Sequence, residues 1–214
     1  MSVTDFSDEP MQMCQRFRGY LPVVVDIETG GFNSDTDAIL ELGVTFLDID
    51  ETGALHLKDT LDLPVLPFTG ANLDPDALKF TGIDPFDTER NAQNEADVLD
   101  ELFERIHTEL AHAQCKRAIL VGHNASFDLK FLYAAIERNA TKKNPFHAFS
   151  TLDTVSLSAL AYGQTALAKC CYVAGIEFSH EHAHSAAYDA MKTAELFCNI
   201  HNKWLALENT ALTS

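Results

Sequence analysis

The sequence predicts an α/β fold in which helices flank a mixed β-sheet, and two observations support this fold class. β-Branched and apolar runs near the start of the chain predict strands over 21–28, 38–49 and 54–63. One further short apolar run, over 117–123, follows a helical pattern and precedes several more. Strands that are followed by helices alternating with another strand are typical of α/β domains.

Each helix is predicted from apolar spacing or from a start signal. The clearest is 95–112, where Val98, Leu99, Leu102, Ile106 and Leu110 recur mostly every three or four residues. Ser126 and Ser185 are suitable N-terminal caps for two later helices. The full set of predicted helices is 74–80, 95–112, 127–138, 154–161, 165–174 and 185 to about 205.

Length and composition limit the class of protein. The 214 residues suit one domain, and 46% hydrophobic with 22% charged residues is an ordinary globular mixture. No apolar stretch is long enough for a membrane span, and residues 1–20 lack the pattern of a signal peptide. Five cysteines without a C-x-x-C pair indicate reduced thiols, so we expect a cytoplasmic protein.

The charge distribution is uneven along the chain. A net charge of −17 argues on average against a nucleic-acid partner. Residues 110–143, however, contain six basic and two acidic side chains, a local charge of +4. This segment is either an ordinary solvated face or a patch where an otherwise acidic protein binds a polyanion.

Two carboxylates stand together at the end of the first predicted strand. Asp26 and Glu28 are two residues apart, so their side chains point to the same face, and Gly30-Gly31 follows as a turn. Like charges at this distance repel each other unless a cation lies between them, which favours Mg²⁺ or Mn²⁺. The alternative for this motif alone is a solvated strand end.

Two further motifs combine histidine and aspartate at helix starts. In His123-Asn124-Ala125-Ser126-Phe127-Asp128, a strand leads into a helix whose first turn contains Asp128. In the second motif, His184 lies just before the last helix and Asp189 lies inside it. The segment 180–184 also fits the zinc-protease pattern H-E-x-x-H, but that pattern requires a helix, and this segment is predicted to be non-helical. Solvated loop histidines are the alternative to zinc.

The chain contains three motifs in a fixed order: D-I-E-T-G-G, H-N-x-x-F-D and H-x-x-x-x-D. With these motifs it resembles the DEDDh 3′→5′ exonucleases of the ribonuclease H-like superfamily, and within them the ribonuclease T family. The resemblance extends from about residue 21 to 204. It implies a ribonuclease H-like mixed sheet of five strands flanked by helices. We therefore expect an N-terminal extension with a basic pair (1–20), an exonuclease domain (21–205) and a C-terminal tail (206–214).

The resemblance also implies the roles of the site residues. Asp26, Glu28, Asp128 and Asp189 match the family's four metal-binding acids, and His184 matches its catalytic histidine, placing the chain in the histidine branch. The implied cofactors are two Mg²⁺ ions per active site, with Mn²⁺ as a substitute. The ions would clamp the scissile phosphate, and neutral His184 would take a proton from the attacking water.

The resemblance assigns substrate contacts as well. Phe32 and Phe127 adjoin the acidic motifs, and Phe80 and Phe149 match two other base-stacking phenylalanines of the family, with core packing as the alternative for the latter two. Asp76 occupies the position of a family glutamate that hydrogen-bonds a terminal base. Its shorter side chain leaves that contact and the nucleotide preference open.

The implied activity is trimming of the single-stranded 3′ ends of transfer RNA and other stable RNAs, which releases 5′-mononucleotides. The family works as a homodimer in which a basic patch of one subunit feeds RNA to the partner's active site. The candidates for that patch are Arg16, Arg18, Arg117, Lys142 and Lys143. A proofreading DNA exonuclease subunit and an oligoribonuclease are the alternative enzymes, single-stranded DNA is a further candidate substrate, and a binding module with a defunct site is the non-enzymatic alternative.

Overall fold

A mixed six-stranded sheet organises residues 12–212, the part of the chain that the computed structural model describes. The strands are β1 (Tyr20–Thr29), β2 (Ile39–Ile49), β3 (Leu55–Leu66), β4 (Gln93–Asn94), β5 (Arg117–Gly122) and β6 (Phe146–Asp153). They lie in the order β4-β3-β2-β1-β5-β6. β2 is antiparallel to β1 and β3, and the remaining neighbours are parallel.

Helices cover the sheet and bury its apolar strands. They are α1 (Met13–Arg16), α2 (Pro75–Thr81), α3 (Glu95–His112), α4 (Ser126–Arg138), α5 (Thr154–Tyr162), α6 (Leu167–Ala174) and α7 (Ala186–Leu212). The longest, α7, packs against β1, β2 and β3, while α4 packs against β1, β5 and β6. Because β1 lies in the middle of the sheet, Val23, Val24 and Val25 are fully buried, as their continuous apolar run predicts.

The predicted α/β class is confirmed, but the sheet contains one strand more than the expected five. The additional strand is β4, a two-residue segment that pairs with Val65 and Leu66 at the edge of the sheet. The periodicity of the sequence also missed β6. In that strand only Phe146 is buried, so the strand lacks the apolar run or regular alternation that identifies the others.

Helix ends differ from the predictions where long-range contacts hold the chain. The bounds of α3 agree with the prediction, whereas α7 continues to Leu212 instead of ending near 205. Its last turns are attached to α1, because Arg16 bonds to His201 and forms an ion pair with Glu208. Residues 1–11 and 213–214 lie outside the described residues, so the division into extension, domain and tail stays a prediction.

Across 12–212, none of the helices combines the length and the apolar character that crossing a membrane requires.

Candidate active site

The end of β1 presents the first two carboxylates of the site. Asp26 and Glu28 lie on one face of this strand, as the alternation of side chains predicts. The neighbouring strand β2 places Gly43 opposite Asp26 and Glu41 opposite Glu28. Paired residues of antiparallel strands share a face of the sheet, so a third acidic side chain lies next to the predicted pair.

The third predicted carboxylate is bonded directly to β1. Asp128 lies in the first turn of α4, with 4% of its surface exposed. Its Oδ1 accepts a hydrogen bond of 3.0 Å from the backbone N–H of Ile27, the residue between Asp26 and Glu28. This bond joins the strand-to-helix motif to the D-I-E motif.

The fourth carboxylate and the histidine come together at the start of α7. Asp189 Oδ2 accepts a bond of 3.1 Å from the backbone N–H of His184, whose side chain is exposed. The φ angle of His184 is +70°, a conformation that is uncommon for residues other than glycine and that is often found at functional sites. Glu28, His184 and Asp189 each offer one ligand atom, and these atoms lie within 4.8 Å of one another.

Burial and mutual repulsion make this cluster difficult to ionise. Burial, followed by repulsion from Asp128 and Glu28, raises the pKa of Asp26 well above its ordinary value. The same two causes, with Asp189 as the strongest repelling charge, raise the pKa of Glu28 to about 8. Burial raises the pKa of Asp128 to about 7 and also raises that of Asp189.

The donor set fits a divalent cation. The Oδ1 atom of Asp189 is buried and has no hydrogen-bond partner among the described residues. The charges that act most strongly on Asp26 and Glu28 come from other carboxylates of the cluster. A cation bound between these oxygens would satisfy Asp189 and remove the repulsion, and carboxylate oxygens are the ligands that hard divalent ions prefer.

A pocket of about 480 Å³ adjoins the carboxylates. Phe32, Phe80 and Phe127 line it together with Asp76 and Glu28. Phe32 is 87% exposed and Phe80 is 66% exposed, so neither ring belongs to the core.

Two of these rings also contact other parts of the site. The Phe127 ring is only partly exposed, because it packs against Phe131 at a centroid distance of 4.9 Å. The Phe80 ring lies 4.3 Å from the imidazole of His184, again between centroids. The aromatic pocket and the His184 ring are therefore in contact.

Phe149 lies apart from this pocket. It is 80% exposed and is not among the described residues that line the cavity. Between the pairs Ala118–Phe146 and Leu120–Thr151, β6 has three more residues than β5, and this bulge includes Phe149. The core-packing alternative is wrong for Phe149, as it is for Phe80.

The candidate basic residues differ in their availability. Arg18, Arg117, Lys142 and Lys143 are exposed, and Arg18 lies over the ring of Tyr20, which is paired with Arg117. The fifth candidate, Arg16, is occupied by the contacts with α7 described above, so it is less available to a ligand.

The alternate histidines before α7 do not converge on one point in the described part of the chain. Segment 180–184 consists of turns, as predicted. His180 contacts the ring of Phe178, and His182 contacts the ring of Tyr188. Of the three histidines, only His184 belongs to the group of potential metal ligands found in residues 12–212.

The chain is similar to known nucleases over most of its length. The family described as "Exonuclease" matches residues 23–197. Ribonuclease T of Hahella chejuensis is 55% identical over 195 residues, which cover 91% of this chain and 89% of that protein. Ribonuclease T of Vibrio cholerae is 52% identical over 206 residues, which cover 96% and 92%. The chain belongs to the ribonuclease T family.

Solved structures show how the fold of this ribonuclease T family member relates to other exonucleases. Escherichia coli exonuclease I in complex with dT13 aligns with a TM-score of 0.65 at 20% identity, over 91% of this chain and 44% of that one. The nuclease domain of 3′hExo, a DEDDh family member bound to rAMP, aligns with a TM-score of 0.67 at 20% identity, over 85% and 92%. Family and fold together make this ribonuclease T family member a hydrolytic 3′→5′ exoribonuclease.

The sequence motifs missed two residues of β2 that contribute to this ribonuclease T-like site. Burial, followed by repulsion from Asp62, raises the pKa of Glu41 to about 7. Gly43 faces the start of α7 so closely that a Cβ atom there would overlap the backbone carbonyl of Ala186. The only available signal was E-L-G in a predicted strand, a glutamate and a glycine in an otherwise apolar run.

Proposed function

We propose that this enzyme trims the single-stranded 3′ ends of transfer RNA and other stable RNAs and releases one 5′-mononucleotide at a time. The observation that carries the proposal is the convergence of Glu28, His184 and Asp189 within 4.8 Å, beside an aromatic pocket. Asp26 and Asp128 complete the acidic set. In this proposal the four carboxylates hold two divalent ions, Mg²⁺ or Mn²⁺.

Each protein group has a separate task in the proposed hydrolysis. When bound, the ions supply positive charge that acidifies water and stabilises the negative charge that develops on the phosphate. His184 accepts the proton of the attacking water, and its exposed ring can pass that proton to solvent. The water oxygen bonds to phosphorus while the bond between phosphorus and the 3′ oxygen of the preceding nucleotide breaks, and that oxygen takes up a proton from solvent. This leaves a chain one residue shorter with a free 3′-hydroxyl group.

The aromatic rings bind the end of the strand in this proposal. Phe32, Phe80 and Phe127 stack on the terminal bases, and stacking contributes about 1–3 kcal/mol per base for most sequences. Asp76, whose side chain is exposed at the pocket, is the candidate for a polar contact to a terminal base. Phe149 would stack on a base outside the pocket of its own chain.

The upstream part of the RNA would bind the basic patch, which we assign to Arg18, Arg117, Lys142 and Lys143. These are exposed cations in a chain whose net charge is −17, so a polyanion would be attracted there and repelled elsewhere.

We propose further that the enzyme is a homodimer in which the patch of one subunit serves the active site of its partner. The five free cysteines support a reducing, cytoplasmic location.

The test is release of mononucleotides from a 5′-labelled single-stranded RNA. We expect a ladder that shortens from the 3′ end with Mg²⁺ or Mn²⁺, no products in EDTA, and none when the 3′ end carries a phosphate. A DNA strand of the same sequence, assayed in parallel, measures the preference for RNA. Asp26→Ala should lose activity by several orders of magnitude, and it should remain folded because the change removes a buried acid that its neighbours repel. Internal fragments, or full activity in EDTA, would reject the proposal.

A further inference from the structure

The start of α7 is attached to β2 by a side chain that has no part in the proposed chemistry. Glu41 Oε1 accepts one hydrogen bond of 3.1 Å from the backbone N–H of Ala186 and another of 3.4 Å from the hydroxyl of Ser185. Ser185 precedes the helix, as the sequence predicts, but its hydroxyl donates to Glu41. An acceptor from a distant strand therefore binds a backbone N–H of the first turn, which has no partner within the helix.

A second residue of β2 allows the two segments to approach. A Cβ atom on Gly43 would overlap the backbone of Ala186 and Ala187, so only glycine lets the helix start rest directly on the strand. Gly43 is not a turn residue, and its φ angle is not in the left-handed region. Glycine is needed at this position only because the backbone of the helix start lies so close to the strand.

The register of the sheet relates these two contacts to the active site. Glu41 is paired with Glu28, and Gly43 is paired with Asp26. The segment that they hold begins immediately after His184 and contains Asp189 one turn into the helix. The strand that neighbours the two β1 carboxylates thus also holds the segment that brings His184 and Asp189 to them.

We propose that Glu41 is a positioning residue, whose carboxylate oxygen holds the first turn of α7 and thereby sets His184 and Asp189 at their working distance from Glu28. This inference rests on the proposed function of those residues. Both hydrogen bonds of Glu41 Oε1 go to the start of α7, so this oxygen is occupied by contacts that hold the helix. Its contribution is the position of its oxygen, and its negative charge is not required.

Two substitutions separate position from charge. Glu41→Gln retains an acceptor oxygen at the same distance and removes the charge, whereas Glu41→Asp retains the charge and withdraws the oxygen by one methylene group. We expect Glu41→Gln to keep a kcat close to that of the wild type with Mg²⁺. We expect Glu41→Asp to lose kcat on the order of 10²-fold, the effect of a misplacement of about 1 Å. KM for a short RNA should change little, because the stacking rings are untouched.

Hydrogen exchange at the Ala186 amide gives a direct readout, because that N–H donates to Glu41. Exchange should become faster in Glu41→Asp and remain slow in Glu41→Gln. The control is Glu51→Gln, which removes an exposed acidic charge from the turn after β2 and should change neither kcat nor the exchange of Ala186. Thermal melts verify that each variant is folded.

Three results would overturn the inference: wild-type kcat in Glu41→Asp, an equal loss of kcat in both variants, or unchanged exchange of Ala186 in Glu41→Asp. The failure of the proposed function would look different. In that case the wild-type protein would release no mononucleotides with Mg²⁺, while the Ala186 amide would still report whether Glu41 holds α7.

Discussion

Glu28→Gln is expected to stabilise the metal-free protein at alkaline pH although it removes a proposed metal ligand. Glu28 is buried among Asp189, Glu41 and Asp128, and these surroundings raise its pKa from 4.5 to about 8. An ionised carboxylate at this position therefore destabilises the fold unless a cation neutralises it. Glutamine has a similar shape and never ionises, so the variant avoids this cost.

The size of the effect follows from the two pKa values. Between pH 4.5 and 8 the folded protein retains a proton on Glu28 that the unfolded chain has released. The stability that this proton contributes is complete below pH 4.5 and is lost as the pH rises toward 8. At about 1.4 kcal/mol per pH unit, the upper limit between pH 5 and pH 8 is about 4 kcal/mol. Neighbouring carboxylates take up part of this proton binding, so we expect at least about 1 kcal/mol, or 2–4 °C in Tm.

The assay is thermal unfolding in EDTA at pH 5 and at pH 8. The difference in Tm between Glu28→Gln and wild type should be small at pH 5 and should favour the variant at pH 8. Added Mg²⁺ should reverse the order at pH 8, because the wild type binds the ions better. Glu51→Gln, at an exposed turn residue, controls for the loss of one negative charge. A Tm difference that does not change with pH would refute the reasoning.

Three further predictions concern the histidine, the pocket and the basic patch. His184→Ala should slow hydrolysis about 10²–10⁴-fold and leave metal affinity unchanged in a titration, whereas a loss of affinity would make His184 a ligand. Phe32→Ala should weaken binding of single-stranded RNA without lowering Tm, because the ring is 87% exposed, and a clear fall in Tm would contradict this. Replacing Arg117, Lys142 and Lys143 together by Ala should flatten the slope of log binding constant against log salt concentration for RNA by about 0.7 per residue. An unchanged slope would show that these side chains are an ordinary solvated surface.

Local patterns account for most of the secondary structure that the sequence predicted. The bounds of α3 could be predicted because the residues of its buried face repeat every three or four positions, a pattern that the local sequence shows by itself. The strand β6 could not be predicted, because it is mostly half-exposed and is recognisable only by its pairing with β5. The predicted end of α7 was wrong for a similar reason. Its last turns are held by Arg16, which lies at the other end of the chain.

The chemistry of the site was already present in short segments of sequence. D-I-E on a strand, Asp128 at a helix start and H-x-x-x-x-D before a helix are motifs of at most six residues, so local geometry places their donors. The distances between the motifs are a different matter, because they depend on how α7 packs on β2 some 145 residues earlier. Packing of such distant segments creates the raised pKa values of the carboxylates and the contacts of Glu41 and Gly43 with α7. The residue pattern of β2 or of α7 alone does not show that the two segments pack against each other. These contacts are therefore decided only by the tertiary structure.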